Sequence, residues 1–188
     1  MNRLLKRAQQ GDDEAFIKLF EQHKQALWRT AYAILHNEAD AEDALQETII
    51  KAWKGIPRFS RRSSIGTWIT RILLNTCYDA LRSQKHKGAD SSYLESDEYF
   101  EDEGAHSIEN GYLPNHEGEI EIEDAMDKLS NDDRLLLTLF YLNNYSTREI
   151  ASILSISDGA ARTRLSRARE RFRSIYGTKQ DVKAEVES

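Results

Sequence analysis

The chain has one cysteine, two prolines and no long apolar run in its 188 residues. Each shortage excludes something. A single Cys77 cannot close an internal disulfide, which fits a reducing cytoplasm. Its position inside an apolar helical stretch makes it a small buried hydrophobe rather than a catalytic thiol. Runs such as Ile72-Leu73-Leu74 fall far short of the roughly 20 apolar residues of a bilayer helix, and the N-terminus MNRLLKRAQQGDDEAF has no core of signal-peptide length. The expectation is therefore a cytoplasmic protein without membrane insertion. Alternating strand patterns are almost missing, whereas helix-period patterns are long and interrupted by proline only at Pro57 and Pro114, so the fold class is all-α.

Basic residues are also missing where acids are dense. Between residues 88 and 124 there is no Lys or Arg, while 13 of the chain's 32 acids fall there. The rest of the chain keeps 19 acids against all 26 basic residues, a formal +7 that the overall charge of -6 conceals. This acidic tract has no apolar periodicity and is rich in Gly, Ser, Asn and His, so residues 88–119 are expected to be a flexible linker. As coil it would span roughly 30 Å on average and at most about 100 Å. Two small helical domains follow, residues 1–87 and 120–177, with a disordered tail over residues 178–188.

In the first domain, apolar spacing predicts one helix from Asp12 to about Asn37 with Ile17, Phe20, Leu27, Ala31 and Ile34 on one face. A second runs from Glu38 to Trp53 and is closed by Pro57. A third spans about Ile65 to Gln84, burying Trp68, Ile69, Ile72 and Leu73.

The C-terminal segment is more specific. Ser146 with Glu149 three residues on forms a capping box, predicting a helix over Thr147–Leu154. After the turn Ser155-Ile156-Ser157, Asp158 can cap a second helix. Its Ala161, Leu165, Ala168 and Phe172 share a face, and it carries six arginines at 162, 164, 167, 169, 171 and 173 against the single acid Glu170. Arginine helices without compensating Glu suit phosphates and guanine edges. The plainer alternative is a solvated cationic helix.

The stretch Glu42-Asp-Ala-Leu-Gln-Glu-Thr-Ile-Ile-Lys-Ala-Trp53, then Phe59, then Gly66-Thr-Trp-Ile-Thr-Arg-Ile-Leu-Leu-Asn75 and Asp79-Ala-Leu-Arg82 resembles the promoter-melting region 2 of extracytoplasmic-function (group 4) sigma factors. The segment from Ala125 through the arginine helix resembles region 4 of the same family, which binds the minus-35 element. Order and spacing agree over residues 3–87 and 120–176.

The resemblance implies partners and sites. Core RNA polymerase would dock on Asp40, Glu42, Asp43, Gln46 and Glu47, an acidic strip suited to a basic partner; a solvated helix face is the alternative. With no His at ligand spacing, a metal site there is disfavoured. Residues 57–65 resemble the loop that accepts a base flipped from the minus-10 element. Arg58, Arg61 and Arg62 supply cations, and Phe59 either stacks on the base or packs beneath the loop. Arg71, Asn75 and Arg82 match positions lying along the minus-10 DNA, although Asn75 could serve only as a hydrogen-bond partner. Ala160, Arg162, Thr163, Arg164 and Arg167 would enter the minus-35 major groove. Ser130 stands where the family usually has Pro, which should loosen a helix start. Ala161 stands where Val is usual, trimming a core contact. The acidic linker would thread toward the RNA exit path. An inhibitory anti-sigma partner is common in the family.

The function implied is a transcription initiation factor with no active site and no cofactor. Two other classes compete: a stand-alone helix-turn-helix regulator, which usually needs dimer symmetry that is not evident here, and a nuclease using Glu42, Asp43 and Glu47.

Overall fold

In the computed structural model the backbone is described for residues 3–88 and 117–186, and side chains for 3–83 and 122–177. The predicted linker lies almost wholly outside the described residues. Among those described, the regular elements are all helical.

The first unit holds α1 (Arg3–Gln9), α2 (Asp13–Glu21), α3 (Lys24–Leu35), α4 (Glu38–Gly55) and α5 (Ile65–Gly88). The single helix expected over residues 12–37 is two. Helix α2 packs on α1, whereas α3 packs on α4 and α5. One straight rod could not lay its apolar stripe on both, and the chain bends at Gln22 and His23. Ile17, expected inside, is 52% exposed as a result. Caps fix the ends: the Asp12 carboxylate accepts from the Ala15 amide at 3.0 Å, and Asn37 Oδ1 accepts from Asp40 at 3.0 Å. Helix α3 stops at His36, whose φ of 54° is left-handed and whose N–H reaches Tyr32 O. At the end of α4 the chain passes close to Trp68: a Cβ on Gly55 would lie 3.0 Å from the indole Cζ2, so a larger residue would have to shift the ring. A 3-10 turn over Ile56–Arg58, with Pro57 in it, then leads into the loop before α5.

The second unit holds α6 (Glu117–Asp127), α7 (Asn131–Leu137), α8 (Thr147–Leu154) and α9 (Asp158–Val186). Two expectations about its caps are corrected. Ser130 does not loosen the start of α7: its hydroxyl accepts from the Asp133 amide at 3.2 Å and caps it. The cap of α9 is Ser157, whose Oγ accepts from Ala160 N at 3.1 Å, so Asp158 is the first helical residue. The capping box of α8 forms as expected, with Ser146 N–H donating to Glu149 Oε2 at 3.0 Å. The tail, expected to be disordered, continues α9 as helix to Val186. Likewise α6 begins at Glu117, inside the expected linker.

Between α7 and α8 a π turn over Thr138–Leu142 widens the helix. It closes with Asn143 N–H donating to Thr138 O, and Asn144 follows at φ 56°. This turn aims Asn143 at α3. The two units pack together, α3 against α7 and the π turn, α5 against α8, and their buried apolar residues form one continuous cluster. Arg134 sits at the junction, 5% exposed. It donates to the carbonyls of Met126, Asp127 and Leu129 within its own unit and to that of Ala33 across it. Those carbonyls lie where α6 and α3 end, at the limit of the helical ladders.

Candidate nucleic-acid interface

Helix α9 carries the strongest cationic surface. Its inner face, Ala161, Leu165 and Ala168, is at most 2% exposed. That anchors the helix on α7 and α8 and turns Arg162, Thr163, Ser166 and Arg167 to solvent. Ala160 is half-buried beside the turn. Arg164 is not presented in the same way. It is half-buried beside Asp132, whose carboxyl is pushed up by burial while the Arg164 guanidinium opposes that shift.

Two of the later arginines are held by the fold. Arg171 grips both oxygens of Asp133 at 2.9 and 2.8 Å, and that carboxylate is only 7% exposed. Arg169 lies over Phe140 and Tyr141 at 4.8 and 5.4 Å from the ring centroids. The reading of the arginine helix from sequence, as DNA contacts or a solvated face, includes no partner within the chain for either. Their partners are 28 to 38 residues away in sequence, beyond the reach of helical spacing.

The loop before α5 is a second site. Arg58 and Arg62 are exposed. Phe59 is not available for stacking as it stands: it is 8% exposed, with its ring 5.0 Å from that of Trp68. Of the two roles left open for it, this is the prop beneath the loop. Gln9 of α1, which the sequence did not single out, ties the loop down. Its Nε2 donates to Phe59 O at 3.0 Å, and its Oε1 accepts from Arg61 Nη2 at 2.7 Å. Arg61 holds a left-handed φ of 59° in this arrangement. The loop is thus pre-shaped, with all three cations exposed and one of them, Arg61, tied to Gln9.

On α5 the expected strip divides. Asn75 and Arg82 are exposed, and Arg82 pairs with Asp79 one turn earlier. Asn75 is therefore not a buried hydrogen-bond partner. Arg71 instead donates from Nη2 to Ser152 of α8 at 2.9 Å.

On α4, Glu42, Asp43, Gln46 and Glu47 form an exposed polar row, with Asp40 half-buried at its start. Glu47 pairs with Lys51 at 2.8 Å. Beside the row, Phe16, Ile49 and Trp53 line an apolar shelf rimmed by Ile17 and Ile50, each 52% exposed. The shelf joins residues of α2 and α4 that are far apart in sequence, so helical periodicity alone could not reveal it. Among the described residues no group of three or more His, Cys, Asp or Glu could hold a metal ion, and no helix is long and apolar enough to cross a membrane. The Cys77 thiol is buried and pushed up to about 12, which suits a core residue.

Comparison with known proteins agrees with this geometry. The model of sigma-70 region 2 matches residues 19–87, and that of sigma-70 region 4 matches residues 119–172. The RNA polymerase sigma-H factor of Pseudomonas aeruginosa is 30% identical over 173 residues, spanning 89% of both chains. The chain belongs to the extracytoplasmic-function sigma factors of the sigma-70 family. The sigma factor SigW of Bacillus subtilis is likewise 30% identical, over 90% of this chain and 92% of its own. Among solved structures, the sigma factor RpoE of Bartonella quintana, in complex with the anti-sigma factor NepR, matches with a TM-score of 0.62 at 25% identity over 85% of this chain and 95% of that one. CnrH, in complex with the cytosolic domain of CnrY, shares the fold at a TM-score of 0.64 over 93% of this chain and 96% of that one. As a sigma factor the protein directs RNA polymerase to promoters and is a non-enzymatic subunit of it. Its first unit is region 2 and its second region 4.

Proposed function

We propose that region 4 reads the minus-35 duplex through the outer face of α9, and that region 2 captures the melted minus-10 strand through the loop before α5. The reading is carried by α9: a capped turn followed by a helix whose apolar face is fully anchored while Arg162, Thr163, Ser166 and Arg167 face outward. Bidentate arginine contacts to guanine are each worth about 1 to 3 kcal/mol of discrimination. Arg162 and Arg167 are the readers, Ala160 and Thr163 flank them, and Arg164 positions the helix through Asp132.

In region 2, Arg58 and Arg62 hold the strand backbone, and Asn75 and Arg82 follow it along α5. Phe59, Arg61 and Gln9 keep the loop in shape for an unstacked base, which costs a few kcal/mol to flip. Core polymerase docks on the row from Asp40 to Glu47, where the apolar shelf adjoining the charges supplies area as well as attraction. The protein works in the cytoplasm with the polymerase, and an inhibitory anti-sigma partner, as found on the RpoE relative, also fits it.

Transcription in vitro with core polymerase on a genomic fragment library, with start sites read by sequencing, tests this reading. Starts should share minus-35 and minus-10 elements. Tight specific DNA binding by the protein alone, with no polymerase dependence, would instead make it a stand-alone regulator.

A further inference from the structure

Helix α1 carries charges that the promoter contacts named above leave unused. Its seven residues hold three cations, Arg3, Lys6 and Arg7, and no acid. Leu5 and Ala8, 9% and 0% exposed, pin one face to the core, and Gly11, at a left-handed φ of 90°, turns the chain back toward α2. Anchoring one face of a helix fixes where its other side chains stand. Arg7 falls on the flank toward Asp12, whose carboxylate accepts from its Nε at 2.7 Å and lies 2.6 Å from its Nη2. That carboxyl is held below its usual range by the Ala15 amide and by Arg7, so the charge of Arg7 is matched within the fold. Arg3 and Lys6 are exposed, and among the described residues no acid pairs with either.

The position of these two cations is set by Gln9. From the same helix, Gln9 Nε2 donates to Phe59 O at 3.0 Å and to Ile56 O at 3.4 Å, while its Oε1 accepts from Arg61. Lys6 precedes Gln9 by nearly one turn, about 4.5 Å along the axis, and Arg3 stands about as far again. Exposed cations therefore continue from the loop, at Arg58, Arg61 and Arg62, onto Lys6 and Arg3. Like charges gathered in this way repel one another, and an anionic strand relieves that repulsion. Grooves that hold single strands follow the backbone with such cations. The direction follows from topology. Helix α1 packs on α2 and the 3-10 turn, whereas Asn75 and Arg82 lie on α5, which runs from the loop to Gly88, where the chain leaves for region 4. Region 4 is the reader of the upstream element, so α1 lies on the start-site side of the loop.

We propose that Arg3 and Lys6 extend the strand-binding surface of region 2 past its loop, holding phosphates of the melted strand on the start-site side of the minus-10 element. The proposal rests on the reading of the loop and α5 as the minus-10 surface.

The test uses holoenzyme and two dye-labelled single-stranded oligonucleotides, one ending with the minus-10 element and one lengthened by a few nucleotides on its 3′ side. Affinities are read by fluorescence anisotropy over a salt series. The wild-type holoenzyme should bind the longer strand more tightly. Arg3→Gln with Lys6→Gln should weaken the longer strand about fivefold at low salt and leave the shorter one unchanged. Loss of two phosphate contacts should also flatten its plot of log affinity against log salt by about 1.4. Arg3→Lys with Lys6→Arg keeps both charges and should bind like the wild type. So should Lys18→Gln, which removes an exposed cation of α2 that pairs with Glu14. An equal loss on both strands, no loss on the longer one, or the same loss from Lys18→Gln would overturn the proposal. If the double glutamine variant loses helicity by circular dichroism, Lys6→Gln alone decides, with about half the change in slope. A failure of the minus-10 reading is distinguishable: Arg58→Ala with Arg62→Ala would then bind the shorter strand as tightly as the wild type.

Discussion

Region 4 and region 2 present their cations in opposite ways. In region 4 the outward arginines Arg162 and Arg167 stand on one continuous helix, and Arg169 and Arg171 brace it against Phe140, Tyr141 and Asp133. In region 2 the cations are divided between a loop and a helix, and two are tied to neighbouring side chains: Arg61 to Gln9, Arg71 to Ser152. A helix carries its side chains at fixed angles, so a duplex reader can be rigid before DNA arrives. A surface that receives a melted strand has no duplex to match, and its shape depends on tertiary props such as Phe59 on Trp68.

The largest expected effect attacks a prop. Phe59→Ala should destabilise region 2 by about 3 to 5 kcal/mol by leaving a cavity under the loop, whereas Arg58→Ala with Arg62→Ala should leave the denaturation midpoint unchanged and lower open-complex formation. Equal stability for both variants would erase the distinction between prop and contact. Next, Arg162→Ala and Arg167→Ala should each cost about 1 to 3 kcal/mol at minus-35-dependent promoters, roughly fivefold to 150-fold in binding, with core affinity intact. Arg164→Ala should cost less at the promoter, since its guanidinium lies beside Asp132. A band-shift series with holoenzyme orders the three.

A smaller effect follows pH. Burial holds the His23 pKa below its ordinary value of 6.5, so the unfolded chain takes up the proton first. Stability is therefore intact above about pH 6.5 and falls as the pH drops from there toward the folded-state value. His23→Gln should flatten that slope in denaturant titrations between pH 7 and 5, and an unchanged slope would assign the acid sensitivity elsewhere. The smallest effect is at the turn of region 4. Ser155 holds a φ of 56°, so Ser155→Gly should stabilise by about 0.5 to 1 kcal/mol, read as a rise in melting temperature.

Much of the fold was legible because local signals coincide. The capping box at Ser146 and Glu149 forms as read, α8 has the expected limits, and the arginine helix follows the expected turn. What could not be read depends on neighbours remote in sequence. The break at Gln22 and His23 comes from α2 and α3 packing on different helices, and it exposes Ile17 beside Ile50. The π turn that aims Asn143 has no sequence signature comparable to a cap. Gln9 looked like an ordinary helical residue, yet it bonds to Phe59 and Arg61 about 50 residues away.

By itself the sequence determined an all-helical chain of two units around an acidic stretch, their family, and the arginine-rich helix that closes the second unit. Hydrophobic period, capping and charge density act within a turn or two of chain, and they agree here. Only the tertiary structure decided which arginines face solvent, that Phe59 supports its loop, and that region 4 rests on the surface of region 2. Those outcomes depend on long-range pairs such as Arg134 with Ala33 O and Arg71 with Ser152, whose partners become neighbours only once the helices have packed.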